Sequence, residues 1–479
     1  MSSPKVHPDG LPQPQRAFAF LAVMLTVTMA VLDGSIVNVA LPSLAADLAV
    51  SPAHAIGVVT AYQIAVVAAL LPLAALAEAV GFRKVYLSGV VLFAGASLLC
   101  AEARSLEVLV LARVVQGLGA AAIMSINSAV VRHIMPRDRL GWGISWVAMT
   151  VAVAAAAGPT IAAGILSMGS WHWLFLVNVP VSVLALALGI ASLPHTERNG
   201  ARFDAVSALL NVLAFGCLIS ALDGVSSGSA PALVAVQLAV AITSAVLLVL
   251  RQSPRLSPLL PIDLLRRPPF ALALLASVLA FTGQFVAAVS LPFYFHDTLG
   301  YSAVQTGLML TAWPLATGLA APLAGRLVDR TSARPLTTLG MTVFGTGLIL
   351  TAAVPARSGP VPMLGALLLT GAGFGMFQSP NNHALLTTAP RERSGAASGL
   401  QSTARQLGQS LGAALAALLV GSSVRFEVRP ALWTAACFAI LAAAVCAVRG
   451  IQWRTAPGGE QDHGRTLPPL ASRLSRCPK

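Results

Sequence analysis

The sequence predicts an all-α integral membrane protein: fourteen spanning helices, built as two related six-helix bundles with an extra helix pair between them. Three observations carry that prediction. The composition is too apolar for water, apolar runs of bilayer length recur along the chain, and one stretch of the first half returns in the second. Of 479 residues, 56% are hydrophobic and only 10% are charged, whereas soluble domains carry about 25% charged residues. Mean hydropathy is +0.80. Too little polar surface exists to cover a water-soluble globule of this size.

The chain opens on a polar, Pro-rich arm (1–16), "MSSPKVHPDGLPQPQR". The apolar run that follows, 17–41, exceeds a signal-peptide core and reads as a retained helix. A bilayer core needs about 20 helical residues. Runs of that order follow at 54–77, 85–101, 106–131, 142–167 and 173–193, closing a first bundle over 17–195. Two more, 205–222 and 232–250, form an inserted pair within 204–250. The last six, 270–295, 305–325, 335–354, 361–386, 396–420 and 430–448, make a second bundle over 268–450. The tail, 451–479, is rich in Pro, Gly, Arg and Ser and is expected to be disordered.

An even number of spans puts both termini on one side. With the N-terminus cytoplasmic, 24 of the 30 Lys and Arg fall in cytoplasmic segments. Four (Arg104, Arg357, Arg425, Arg429) fall in outer loops and two, Arg113 and Arg405, within spans. That split obeys the positive-inside rule, and one missed helix would destroy it. The expectation is a multi-pass protein of the cytoplasmic membrane with both termini inside. The net charge of +13 is thus loop charge; without a basic stripe or interleaved aromatics it does not indicate nucleic acid. The five cysteines have neither metal-ligand spacing nor a disulfide framework. No GxxxxGK[ST] is present, which excludes an ATP-driven pump of that type.

"GLGAAAIMSINSAVVRHIMPRDRLG" from Gly117 aligns without a gap with "GAGFGMFQSPNNHALLTTAPRERSG" from Gly371. Gly117, Gly119, Ser125 and Asn127 match Gly371, Gly373, Ser379 and Asn381, and "PRDRLG" matches "PRERSG". A second pair, "LAEAVGFRKV" after the second span and "LAGRLVDRTSARPL" after the tenth, lies near the same offset. Spans one to six and nine to fourteen therefore read as related halves. Membrane folds repeated in this way are typically secondary transporters with a site between the halves.

These stretches resemble the major facilitator superfamily, in particular its fourteen-helix drug:proton antiporter branch, over roughly residues 17–450. "LDGSIVNVALP" is similar to that branch's first-helix motif, with Asp33, Asn38 and Pro42 in place. "LARVVQGLGAA" is similar to its fourth-helix motif (Arg113, Gln116), and "AAAAGPTIAAGIL" to its fifth-helix antiporter motif (Gly158, Pro159, Gly164). "WHWLFLVNVPV" resembles the entry to the sixth helix. The loop after the second span departs from the family's pattern: Ala74, Glu78 and Ala79 stand where Gly, Asp and Arg are usual, and Phe82 replaces a basic residue. The later copy keeps Gly325, Asp329 and Arg330.

The resemblance implies a proton-driven exporter of hydrophobic or amphipathic small molecules, such as antibiotics, working by alternating access. A carboxylate in hydrocarbon is costly, so Asp33 should face a cavity or a partner. It either handles the proton or makes a helix–helix hydrogen bond. Arg113 is the natural counter-charge. Glu78, Arg83, Asp329 and Arg330 are expected at the inward gate; Gly158-Pro159 lets helix five bend, and Gly164 keeps neighbouring backbones close. Asn38, Gln116, Gln284, Phe285, Trp313, Asn381 and Arg405 are the candidate substrate-cavity residues, with Phe281 and Phe374 as further aromatic wall. Arg405 is open between pairing with a carbonyl, lining the cavity and serving the gate. No membrane carboxylate is expected in the second half, which argues against dicationic substrates and for monocationic, neutral or zwitterionic apolar ones. No cofactor, metal or nucleic acid is expected; the proton gradient supplies the energy, lipid and substrate are the partners, and the protein is expected to be a monomer. The rivals are a proton-coupled metabolite transporter on the same fold, a non-transporting scaffold or sensor, and a membrane enzyme, although no nucleophile–base pair is visible.

Overall fold

The structure is a computed structural model that describes residues 10–136, 139–194, 203–226, 229–252, 262–328, 331, 333–355, 358–389, 394–421 and 428–455. The described residues contain no strand. The first half consists of α1 (Gln15–Asp47), α2 (Pro52–Val80), α3 (Phe82–Ala101), α4 (Leu106–Ile134), α5 (Leu140–Met168), α6 (His172–Leu176) and α7 (Asn178–Ser192). The pair α8 (Ala205–Ser226) and α9 (Pro231–Gln252) follows, then short α10 (Ile262–Leu265). The second half is α11 (Pro268–Phe293), α12 (Ala303–Val328), α13 (Ala333–Ala353), α14 (Pro360–Thr388), α15 (Ser394–Gly421) and α16 (Arg429–Thr455). Every expected span has its helix, the sixth being α6 and α7 together. Among the described residues, thirteen helices are long and apolar enough to cross a membrane. The fourteenth, α15, misses that measure because Gln401, Arg405, Gln406 and Gln409 lie along it. The expected disordered tail lies, from residue 456 on, outside the described residues, as do residues 1–9 of the arm.

Local signals set the helix ends. Ser51 accepts from the His54 N–H at 3.4 Å, with Pro52 at the first helical position of α2. Ser105 does the same for α4 through Val108. Gly81 breaks α2 from α3 at φ +105°, a conformation that disfavours any side chain.

The repeat is reproduced in three dimensions, down to backbone contacts. A Cβ on Gly117 would fall on the Tyr62 carbonyl, and one on Gly371 on the Trp313 carbonyl. Gly119 lies against Phe93 and Gly89 of α3, and Gly373 against Phe344 and Gly340 of α13. In each half, glycines on the fourth helix thus let the second and third helices approach to backbone distance. The close approach expected at Gly164 is absent, since nothing lies within 4 Å of a Cβ there. It occurs at Gly158, against Ser35, and at Gly307 of α12, against Pro159 and Ala163.

The apolar cores show how the halves meet. At the end of the bundle away from the chain termini, one continuous core joins both halves, including Leu41 and Val58 of the first with Val289, Phe293 and Ala416 of the second. At the terminal end the cores are separate. One holds only first-half residues such as Val23, Tyr86 and Ile126; the other, around Phe270, Leu385 and Leu400, lies wholly in the second-half region. The halves share one apolar core at the far end, and at the terminal end no such cluster among the described residues spans both. The inserted pair flanks this seam: Ile219 of α8 packs with Val67 of α2 and Ala414 of α15, and Asn211 donates to the Ala68 carbonyl at 2.9 Å.

Gly373→Ala should cost about 1–3 kcal/mol through overpacking against backbone, read as a lowered unfolding temperature of the detergent-purified protein. Gly365→Ala on the same helix, where a Cβ meets open space, should leave that temperature unchanged or slightly raised.

Candidate functional site

Asp33 lies midway along α1 and is fully buried, as are Arg113 and Gln116 on α4. The Arg113 Nη1 donates to Asp33 Oδ2 at 2.5 Å. The other carboxylate oxygen, Oδ1, accepts from Gln116 Nε2 at 3.0 Å and from Asn178 Nδ2 of α7 at 2.9 Å. A carboxylate only accepts, so it dictates which way both amides point. The Gln116 Oε1 accepts a second Arg113 bond at 2.6 Å, and its Nε2 also reaches the Ser97 hydroxyl of α3 at 2.9 Å. The guanidinium lies over the Tyr62 ring of α2, 4.1 Å from its centroid, and 5.6 Å from that of Phe175. Six helices of the first half thus converge on one ion pair.

Removing either charge strands the other in a medium that solvates it poorly, at a cost of several kcal/mol. With both present, each carboxylate oxygen is bonded and the cation is held by acceptors and a π face. Chemically the cluster is a carboxylate that can exchange its cation for a proton, provided the helices around it move enough to admit one. Sequence reasoning found Asp33 and Arg113 because charge in an apolar run is conspicuous. It did not assign Asn178, Tyr62 or Ser97 to the site. Asn178, a lone amide in the apolar run of "WHWLFLVNVPV", was the one available signal.

The other candidates are dispersed. Gln116 belongs to the Asp33 cluster rather than to an open wall, because its amide is used up there. Asn381 is likewise buried: it donates to Ser277 at 2.8 Å and accepts from Arg449 at 3.0 Å, tying α14 to α11 and α16. Trp313, Phe281 and Phe374 form an aromatic core inside the second half, joined through Phe344 with ring centroids 5.3–5.7 Å apart. Phe285 is buried beside Gly412 of α15. These rings fill space between helices and present no wall. Asn38 and Gln284 each keep a buried amide oxygen without a partner, as does Gln63. Arg405 is half-buried and, among the described residues, has no hydrogen bond or ion pair. Of the gate residues, Glu78 is exposed at the terminal end of α2, and Arg83 donates to the Ile190 carbonyl at 2.6 Å. Asp329 and Arg330 lie outside the described residues. Gly158 and Pro159 sit on α5 where it meets α1 and α12, and the Thr160 and Thr311 hydroxyls join α5 to α12 at 2.6 Å.

Comparison with known proteins adds the lineage. The sequence matches the family described as "Major Facilitator Superfamily" over residues 23–412 and 273–475. It is 48% identical, over 94% of this chain and 99% of the relative, to the uncharacterized transporter YebQ of Escherichia coli K12. It is 28% identical to the riboflavin transporter RibZ of Clostridioides difficile, over 82% of this chain and 86% of the relative. It is 31% identical to the multidrug resistance protein Stp of Mycobacterium tuberculosis, over 81% of this chain and 73% of the relative.

Arg113→Leu should destabilise the protein by about 3–5 kcal/mol, because it leaves the Asp33 carboxylate buried without its cation. Adding Asp33→Asn to that variant should recover most of the loss. Thermal unfolding of the two single variants and the double variant measures the coupling.

Proposed function

The chain belongs to the Major Facilitator Superfamily of membrane transporters, and from that premise we propose that it exports amphipathic small molecules in exchange for protons. The observation that carries this reading is the Asp33–Arg113 pair, a protonatable group buried in the first half and surrounded by groups that stabilise its ionised form. The relatives named for drug resistance and for riboflavin transport are consistent with organic substrates of this size class.

In the proposed cycle the terminal face is cytoplasmic, as the distribution of Lys and Arg argues. In this reading the shared core closes the outer side, and the terminal end, where the cores are separate, is the side that opens to the cytoplasm. Substrate enters this inward-facing form while Asp33 is ionised and bonded to Arg113. Turning the halves parts the outer core, releases substrate and brings outside water to the cluster. A proton on Asp33 removes the charge that holds Arg113, Gln116 and Asn178, so the protonated form relaxes differently from the ionised one. Return to the inward form, in which the Asp33–Arg113 pair re-forms, expels the proton inside. Coupling follows from differential stability of the two charge states in the two conformations.

A second reading, exchange of a cellular metabolite for protons, is favoured by the riboflavin-transporting relative and uses the same cluster. A susceptibility panel in a pump-deficient host, set beside metabolite uptake and release by the same cells, separates the two.

Asp33→Asn should reduce gradient-driven uptake of a fluorescent amphipath into inverted vesicles to the level of vesicles without the protein. Binding of that compound to the purified variant should persist. Unchanged pumping by Asp33→Asn vesicles would refute the proton role.

A further inference from the structure

α15, with its Gln and Arg side chains, is two-sided in a way that identifies its environment. Leu407, Leu411 and Leu415 recur at four-residue spacing along one partly open face. Gln401, Arg405 and Gln409 recur at the same spacing along another, with Ser402 beside them. Gly408 and Gly412, on the α11 side, lie against the α11 backbone at Val278 and Thr282. The leucines suit lipid. A row of amides around a cation does not, because polar groups in hydrocarbon are expensive. The polar row therefore faces the interior between the halves. Further along that face, Ala413, Ala416 and Val420 are buried within the core that joins the halves at the far end. The polar row is thus the partly open stretch of α15 on the terminal side of the shared core, and Arg405 sits below that core.

Arg405 is also the one charge in the middle of the described spans without a partner. Asp33 and Arg113 satisfy each other, and Arg449 is bonded to Asn381. Asp47, Glu78, Glu102 and Glu107 stand at helix ends or in loops. A guanidinium always carries its charge, and leaving it unpaired in a partly dry interior is unfavourable. Its fork geometry matches a carboxylate.

We propose that Arg405, flanked by Gln401 and Gln409, is the subsite for an anionic group, a carboxylate, on the transported amphipath. This rests on the reading of the chain as a transporter whose substrate occupies the space between the halves. The apolar part of the molecule extends toward α11. There the unpartnered Gln284 oxygen lies level with Gly412, about two helical turns or ~10 Å further along the bundle. The subsite excludes dications, as the lack of a second-half membrane carboxylate already suggested, and disfavours monocations also.

Two fluorescent probes with the same ring system test it: dansylglycine, a carboxylate, and dansylglycinamide, its neutral amide. The purified protein in detergent should bind dansylglycine about tenfold more tightly than the amide, the order expected of one charge-assisted contact. Arg405→Gln should abolish that preference by weakening dansylglycine alone, while Arg405→Lys should keep part of it. A wild-type protein that binds both probes equally, or neither, overturns the proposal, as does an Arg405→Gln variant that weakens both to the same extent. Binding needs no proton gradient, so failure of the antiport reading would appear in Asp33→Asn vesicles and leave this outcome untouched.

Discussion

A charge placed in hydrocarbon must find an opposite charge, a ring of hydrogen bonds or water, and this constraint organises the molecule. Asp33 and Arg113 answer it inside the first half, where α2, α3, α4, α6 and α7 all supply groups to one ion pair on α1 and α4. The same backbone frame exists in the second half, and there the answer is different. Leu367 stands opposite Arg113 in the repeat and Thr370 opposite Gln116, and Trp313 meets Gly371 as Tyr62 meets Gly117. Where Tyr62 supports a guanidinium, Trp313 packs on Phe344. One half is centred on an ionisable cluster and the other on packed rings. The two share a scaffold and divide the chemistry.

Much of this was legible in the sequence. Chain topology followed from the length of the apolar runs, and the internal symmetry from Gly117, Gly119 and Asn127 against Gly371, Gly373 and Asn381. The glycines were informative because only a missing side chain lets α4 touch α2 and α3, and the same need arises at α14. Asp33 and Arg113 stood out because burying charge is costly enough to demand a reason. Less legible was direction around each helix axis. Depth along a span can be read from residue number, but whether Gln116 or Asn381 points to a neighbour or to open space depends on packing that periodicity does not specify. In a membrane helix the usual alternation of apolar and polar faces is lost, since lipid and core look alike. Phe281, Trp313 and Phe374 therefore read equally well as a cavity wall and as packing, and they proved to be packing. Gly164 shows the same ambiguity from the other side: small residues permit close approach without requiring it.

α15 is the exception that restores directional information. Its two partly open faces differ in chemistry, leucines along one and amides around Arg405 along the other, and that polarity removes it from the set of plainly apolar spans. In a transporter, the helix that looks least suited to the bilayer is the one to examine for contact with cargo.

The contact between α5 and α12 has a mechanical consequence. At its centre Gly307 lies against the Pro159 carbonyl and Ala163, and a pair of threonine hydroxyls joins the two helices. Surfaces that interlock through big side chains must unpack rotamer by rotamer before they slip. A smooth face of backbone and methyl groups can slide by small increments, with each threonine able to fall back on a bond within its own helix, as Thr311 already does to the Gly307 carbonyl at 2.7 Å. In the proposed rocking of the two halves, this boundary would serve as a bearing.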